Sequence, residues 1–158
     1  MNARQQQQQQ NAHEKDHFQP SMLGDMPLLG RLFFNLEDDT VTNEDYRHVI
    51  ATTRQAQVVL MSLGPKQRIG VEVHNQTTQF VRVEDGMANI RIGDIGAEQT
   101  IYLEAGGEND ATLIPAGTRH AIKNPSRHIA CKLYIVYCGE PQHPPGLVQH
   151  VKPMEDKI

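Results

Sequence analysis

Short apolar runs, separated by glycine, proline and polar residues, recur along the chain from about residue 57 onward. Within several runs apolar and polar positions alternate, as in Val81-Arg82-Val83-Glu84, and this alternation is typical of β-strands with one buried face. The pattern predicts about eight strands, at residues 57–62, 68–74, 79–84, 87–92, 100–103, 111–114, 120–124 and 130–138. Eight strands suffice to close a small barrel around one ligand, so we predict a single all-β domain.

One connection between predicted strands carries a specific turn signal. Asp85-Gly86 separates the segments 79–84 and 87–92, and an Asp-Gly pair suits a two-residue type I′ turn, which needs positive φ at both positions. We therefore expect these two segments to form a hairpin. Gln79 begins the first segment and shares a face with Val81 and Val83. A polar amide therefore lies at the start of an otherwise apolar face.

The N-terminal part of the chain has a different composition. Residues 5–10 are all glutamine and residues 1–20 are mostly polar, so this leader cannot bury enough apolar surface to offset its ordering entropy. We predict a disordered leader at 1–20, a barrel at 43–150 and a C-terminal tail at 151–158.

Residues 21–42 are predicted to form a short helix or an irregular strap on the outside of the barrel. Apolar side chains recur there at helical spacing, at Met22, Met26, Leu29, Phe33 and Leu36. Pro27 and Gly30 interrupt the pattern. A segment that binds a partner protein is the alternative interpretation.

Two parts of the sequence carry candidate metal ligands. Glu72 and His74 lie two positions apart, on one face of a predicted strand, and Gln79 begins the next strand. His120 begins a later strand, directly after the turn signal Pro115-Ala116-Gly117. Each of these residues alone would more often be a surface or packing residue. Together, carboxylate and imidazole groups make a ligand set that first-row divalent metals accept.

In this order and spacing the two patches resemble the two sequence motifs of the cupin superfamily. The first patch runs from Gly70 through Glu72, His74 and Gln79 to Gly86, and the second from Gly107 through 115–120 to Asn124. The resemblance covers about residues 43–150. It implies a cupin double-stranded β-helix, or jelly-roll, barrel with a divalent metal inside, held by Glu72, His74, Gln79 and His120. Gln79 is either a fourth ligand or a residue that orients the others.

The chain departs from the usual cupin pattern at several positions. Glu72 stands where the first histidine is expected, and Gln79 stands where a glutamate is expected. Gly70 lies nearer the ligands than the pattern places it, and seven residues rather than five separate Gly107 from Pro115. Carbohydrate-isomerase cupins and small mannose-6-phosphate isomerase-like cupins have such non-standard ligand sets. The tail 141–146 also resembles the latter group.

Several functions are compatible with these residues. Zinc or manganese on this set could act as a Lewis acid in isomerising a sugar-like or other oxygenated small molecule. Iron on two histidines and one carboxylate would suit a non-haem oxygenase. The third alternative is a module that binds a metal or small ligand without turnover. Tyr102, Tyr134 and Glu84 are further candidate participants, although each is more often a packing or surface residue.

Charge and cysteine usage restrict the partners. The formal net charge is −4 and no basic stripe occurs, which argues against nucleic acid or an anionic membrane as the main partner. A small-molecule ligand remains, and dimers are common in the resembled family. Cys131 and Cys138 are about 23 Å apart in an extended strand, too far for a disulfide. We expect free thiols and, because no signal peptide or membrane-length apolar segment occurs, a cytoplasmic location.

Overall fold

The computed structural model describes residues 29–153 and contains two β-sheets and one short helix. The helix is α1, Leu36–Thr42. The strands are β1 Leu29–Gly30, β2 Arg47–Thr52, β3 Ala56–Leu63, β4 Arg68–Glu72, β5 Thr77–Asp85, β6 Met87–Ile92, β7 Gln99–Glu104, β8 Ala111–Ile114, β9 His120–Lys123, β10 Cys131–Gly139 and β11 Val148–Gln149. The predicted leader, residues 1–20, lies outside the described residues. No helix within residues 29–153 is long and apolar enough to cross a bilayer.

The two sheets pack face to face as a barrel. The larger sheet has the order β1-β2-β3-β10-β5-β8, with β11 also paired to β2, and the smaller sheet has the order β4-β9-β6-β7. All pairings are antiparallel. The inward faces meet in one apolar core that includes Val59, Met61, Val81, Ile90 and Leu133. This confirms the all-β prediction and the alternation from which it was made.

The hairpin predicted at Asp85-Gly86 is wrong. Strand β5 pairs with β10 and β8 in the larger sheet, whereas β6 pairs with β7 and β9 in the smaller one. The chain therefore crosses from one sheet to the other at Gly86, which has a φ of 79°. The glycine is needed here for the crossing and for close packing, because a Cβ at this position would lie 2.5 Å from the carbonyl oxygen of Ala130.

Gly86→Ala is expected to destabilise the barrel by about 2 kcal/mol or more, because a left-handed backbone and a steric clash add together. Gly96→Ala is the matched control, since Gly96 also has a positive φ (86°), but a Cβ added there would meet no atom within 4 Å. Urea unfolding of both variants measures the difference. Equal destabilisation would show that the contact with Ala130 is unimportant.

The segment before the barrel covers the outer face of the larger sheet. Asn35 caps α1 by accepting a hydrogen bond from the backbone N–H of Asp38. Phe34 and Leu36 pack against a small outer cluster of Ile50, Leu60 and Tyr134. Within residues 29–42 the chain thus contains the two-residue strand β1, an irregular segment and a short helix. The boundaries of the four predicted segments stay predictions.

The two cysteines lie on opposite faces of β10, as their odd spacing predicts. Cys131 is buried and Cys138 is exposed, and both are free thiols. Burial raises the pKa of Cys131 to about 12, so this thiol stays protonated at neutral pH.

Candidate functional site

A bulge in β4 aims Glu72 into the barrel. Ile69 pairs with Ile122 on β9, but the next pair along the two strands is Glu72 with His120, so β4 contains one residue more than β9 between these points. The extra residue turns Val71 outward, where it is 49% exposed. A bulge of this kind re-aims the following side chain. Glu72 and His120 consequently become neighbours on the inner face of the smaller sheet.

His74 reaches the same place from just beyond the end of β4. Its backbone carbonyl accepts a hydrogen bond of 2.8 Å from the N–H of Gly117, so the predicted turn at 115–117 fixes its position. Its ring lies 5.6 Å from the ring of His120, measured between centroids, and edge-on to Tyr137 at the same distance. The two sequence motifs therefore meet through a backbone contact as well as through their side chains.

The structure brings Glu72, His74 and His120 together with metal-like spacing. Glu72 Oε2 lies 3.3 Å from His74 Nε2 and 3.9 Å from His120 Nε2. One ligand atom from each of the three lies within 4.8 Å of the other two. Adjacent ligands on a metal with bonds of about 2.0–2.2 Å are roughly 3–3.5 Å apart. The three side chains can therefore reach one ion with small adjustments.

Hydrogen bonding presents the Nε2 lone pair of His120 to this cluster. His120 Nδ1 lies 2.9 Å from the backbone carbonyl oxygen of Thr118, which can only accept a hydrogen bond. Nδ1 must therefore carry the proton, and in the neutral ring Nε2 has a lone pair that can accept a hydrogen bond or bind a metal. This is the arrangement that histidine ligands of metals commonly have.

Gln79 supplies a buried oxygen without a hydrogen-bond partner. The residue is 1% exposed, its Nε2 lies 2.9 Å from His120 Nε2, and its Oε1 is buried and unpaired. As placed, the amide N–H of Gln79 donates to the lone pair of His120 Nε2, and only Oε1 is unsatisfied. Rotating the amide by 180° would turn Oε1 toward His120 Nε2, and only a cation between these two acceptors would then satisfy both. Gln79 can therefore hold His120 in the metal-free protein and offer its oxygen to a bound cation.

The three side chains of the cluster shift one another's ionisation. Burial by itself would raise the pKa of Glu72, but the hydrogen bond and charge of His74, together with His120 and Arg47, hold it below its ordinary value. The hydrogen bond to Glu72 raises the pKa of His74, so an ion that binds this ring must displace a proton. Burial lowers the pKa of His120, which favours its neutral form. The cluster therefore combines a carboxylate that favours ionisation with one imidazole that favours the neutral form.

Sequence reasoning misses a second group of residues, which lies beside the cluster on β10 and in the segment that follows it. Tyr137 lies on the inner face of β10, and its hydroxyl is 3.3 Å from His143 Nε2. Burial lowers the pKa of His143 to about 4 and raises the pKa of Tyr137 well above its usual value, so both are neutral at pH 7. In the sequence only the family resemblance points to the segment 141–146. The polar pair Gln142-His143 between prolines is the available signal.

Arg47 contributes positive charge near this group. It sits on β2 opposite the fully buried Met61, and it donates a 2.8 Å hydrogen bond to Gln149 Oε1. Its Nε is buried without a hydrogen-bond partner. Its charge contributes to lowering the pKa values of both Glu72 and His143.

The other sequence candidates lie elsewhere. Tyr102 is 68% exposed, Tyr134 packs in the outer cluster, and Glu84 forms an ion pair with Arg82. Asn124 is fully buried but faces backbone rather than the cluster, because its amide nitrogen bonds the carbonyl oxygens of residues 63, 64 and 129. None of these four residues belongs to the ligand cluster.

Comparison with solved structures identifies the class of fold. A Klebsiella pneumoniae protein with a double-stranded β-helix domain is similar at a TM-score of 0.55 and 21% identity, over 84% of this chain and 93% of that one. A cupin superfamily protein of Desulfitobacterium hafniense is similar at a TM-score of 0.50 and 21% identity, over 62% and 80%. The fold is thus the cupin double-stranded β-helix. No family model matches the chain.

Nearer relatives define the family. An uncharacterised protein of Acanthamoeba polyphaga mimivirus is 37% identical over 119 residues, 75% of this chain and 71% of that protein. A Bacillus halodurans crystal structure is 36% identical with a TM-score of 0.65, over 76% of this chain and 89% of that one. The chain belongs to the same family of cupin-fold proteins as these two. An uncharacterised Bacillus subtilis protein is 33% identical, but the match spans only 62% of its length.

Proposed function

We propose that the chain is a metal-binding cupin that holds one divalent ion through Glu72, His74 and His120, with Gln79 as a fourth ligand or orienting residue. The observation that carries this proposal is the convergence of three ligand atoms within 4.8 Å. The hydrogen-bonded tautomer of His120 and the unpaired oxygen of Gln79 support it. Zinc, manganese and iron all accept such a set.

The ligand in this proposal is a small oxygen-rich molecule, such as a sugar or a hydroxy-carbonyl compound. A bound ion would supply a Lewis acid for an oxygen of that molecule. His143, which is partly exposed and neutral, can exchange a hydrogen bond with a hydroxyl group of that molecule. Arg47 adds a positive charge that favours a carboxylate or other anionic group. The proposal also includes the mannose-6-phosphate isomerase-like subtype and isomerase activity. It further includes a homodimer and a cytoplasmic location.

Two other functions each have an observation in their favour. The ligand set of two histidines and one carboxylate is that of non-haem iron oxygenases, which keep open positions for oxygen and substrate. A module without turnover is favoured by the pKa values beside the cluster. Burial lowers the pKa of His143 to about 4 and raises the pKa of Tyr137 above its usual value, so neither group matches a general acid or base that works near pH 7.

Purified protein is expected to contain, or to take up from a supply of zinc, manganese and iron(II), one divalent ion per chain. Elemental analysis after gel filtration measures the stoichiometry and the preferred metal. Aldose–ketose interconversion by the zinc or manganese form would favour the isomerase, and ligand-dependent oxygen consumption by the iron form would favour the oxygenase. Ligand binding without either would favour the binding module. Protein that takes up no ion from any of the three metals would contradict the proposal.

A further inference from the structure

Five residues that follow β10, numbers 140–144, lie against the metal-ligand cluster, and we call them the roof segment. The segment has no regular secondary structure, yet side chains of the barrel hold it at several points. The Thr77 hydroxyl donates a 3.0 Å hydrogen bond to the carbonyl of Glu140, and the Tyr137 hydroxyl lies 3.3 Å from the ring of His143. These contacts attach the roof segment to the barrel beside the cluster.

Gln57 is the main anchor of the roof segment. It is fully buried on β3, directly opposite Tyr137. Its Oε1 accepts hydrogen bonds from the backbone N–H groups of Gln142 (3.2 Å) and His143 (3.1 Å). Its Nε2 donates to the carbonyl oxygen of His143 (2.8 Å) and to the Thr52 hydroxyl (2.9 Å). One buried amide thus satisfies three backbone groups of an otherwise irregular segment.

Gln142 links the roof segment to His74 through hydrogen bonds. Its Oε1 lies 2.6 Å from His74 Nδ1. Its Nε2 donates to the Thr77 hydroxyl (3.0 Å) and to the carbonyl oxygen of Glu140 (2.7 Å). Because the carbonyl of Glu140 can only accept, the amide nitrogen must face it, and the amide oxygen must face His74. Gln142 Oε1 can consequently only accept a hydrogen bond from a protonated Nδ1.

His74 has acceptors at both ring nitrogens, and they compete for one proton when the ring is neutral. Gln142 Oε1 lies 2.6 Å from Nδ1, and Glu72 Oε2 lies 3.3 Å from Nε2. A proton on Nδ1 leaves Nε2 free to bind a metal, whereas a proton on Nε2 blocks it. Without Gln142 the carboxylate of Glu72 would be the remaining partner and would draw the proton to Nε2.

We propose that Gln142 is a positioning residue that holds the proton of His74 on Nδ1, and that Gln57 acts through the roof segment to keep Gln142 there. The inference rests on the proposed metal site and deepens it. Partners that orient metal-bound histidines typically contribute a 10- to 100-fold effect on affinity. The roof segment therefore completes the site without supplying a ligand.

Three variants and a control test this proposal. Gln142→Met removes the acceptor at similar size, and Gln142→Glu keeps an acceptor oxygen for Nδ1. Gln57→Met removes the anchor of the roof segment. Gln55→Met is the control, because Gln55 is an exposed glutamine just before β3 whose backbone N–H, rather than its side chain, bonds the Thr53 hydroxyl.

The first readout does not depend on metal. Nitrogen-15 NMR of metal-free protein, at a pH where His74 is neutral, distinguishes a protonated ring nitrogen from a bare one. We expect the Nδ1-protonated form in the wild type, in Gln142→Glu and in Gln55→Met, and a shift toward the Nε2-protonated form in Gln142→Met and Gln57→Met. An unchanged tautomer in Gln142→Met would overturn the proposal, even if the protein binds metal normally.

The second readout is zinc affinity, measured by competition with a chromophoric chelator. Gln142→Met is expected to bind zinc about 10- to 100-fold more weakly, and Gln55→Met to match the wild type. Gln142→Glu is expected to regain part of the affinity, because it keeps the acceptor for Nδ1 but loses the amide donor to the carbonyl of Glu140. Equal weakening in Gln142→Met and Gln142→Glu would overturn the positioning role, because a structural role would not distinguish them. If the wild type binds no zinc, manganese or iron(II), the proposed function is wrong. The tautomer measurement on metal-free protein still tests the role of Gln142 independently.

Discussion

His120→Ala is expected to weaken the binding of a divalent ion by about 100-fold or more while the barrel stays folded. Loss of a residue that merely orients a ligand already costs 10- to 100-fold, so loss of a direct ligand costs at least as much. The barrel should persist because its apolar core, and not a metal, stabilises a domain of this size. Chelator competition measures the affinity, and far-ultraviolet dichroism reports the fold.

His128→Ala is the control for this prediction. His128 is exposed and lies on the turn between β9 and β10, away from the cluster. The control is expected to bind metal like the wild type. Unchanged affinity in His120→Ala would remove His120 from the site. A matching loss in His128→Ala would point to non-specific surface binding.

Asn124→Asp is expected to cause a large loss of stability, by about 3 kcal/mol or more. The amide nitrogen of Asn124 lies 3.0, 3.1 and 2.9 Å from the carbonyl oxygens of Leu63, Gly64 and Ile129. An aspartate would keep the hydrogen bond that Oδ1 accepts from the backbone N–H of Ser126, but because the residue is fully buried its other carboxylate oxygen would face three carbonyl acceptors. The loss should be measurable as a lower urea midpoint with an unchanged slope.

The control for Asn124→Asp is Asn109→Asp, at an exposed asparagine in the turn between β7 and β8. It is expected to change the free energy of unfolding by less than about 0.5 kcal/mol. If both variants lose the same small amount, the three carbonyl contacts of Asn124 contribute little, and its place in the second motif has another reason.

Much of the fold could be predicted from local pattern. All eight predicted strands occur, because alternating apolar positions report burial on one face. Strand β2 was not predicted, because four consecutive residues are buried there and its sequence shows no alternation of apolar and polar positions. The hairpin at Asp85-Gly86 failed for a different reason. The turn signal reports only a positive φ at Gly86, and it does not say which sheet the chain enters next.

The cluster of candidate ligands could also be predicted, but part of the reasoning needs correction. Parity along one regular strand places Glu72 and His74 on the same side. In the structure β4 ends at Glu72, and a bulge directly before it sets the direction of that side chain. Gln142 could not be found this way, because its contact with His74 spans 68 residues and comes from an irregular segment. Such contacts depend on tertiary structure that periodicity does not report.

The central claim is that one divalent ion binds to Glu72, His74 and His120, and anomalous diffraction from crystals of the metal-loaded protein tests it most directly. The account predicts one strong anomalous peak about 2.0–2.2 Å from Glu72 Oε2, His74 Nε2 and His120 Nε2. Gln79 is expected beside the peak, with its oxygen turned toward it. A peak at any other place in a protein shown to hold one ion per chain, with none between these three atoms, would contradict the claim.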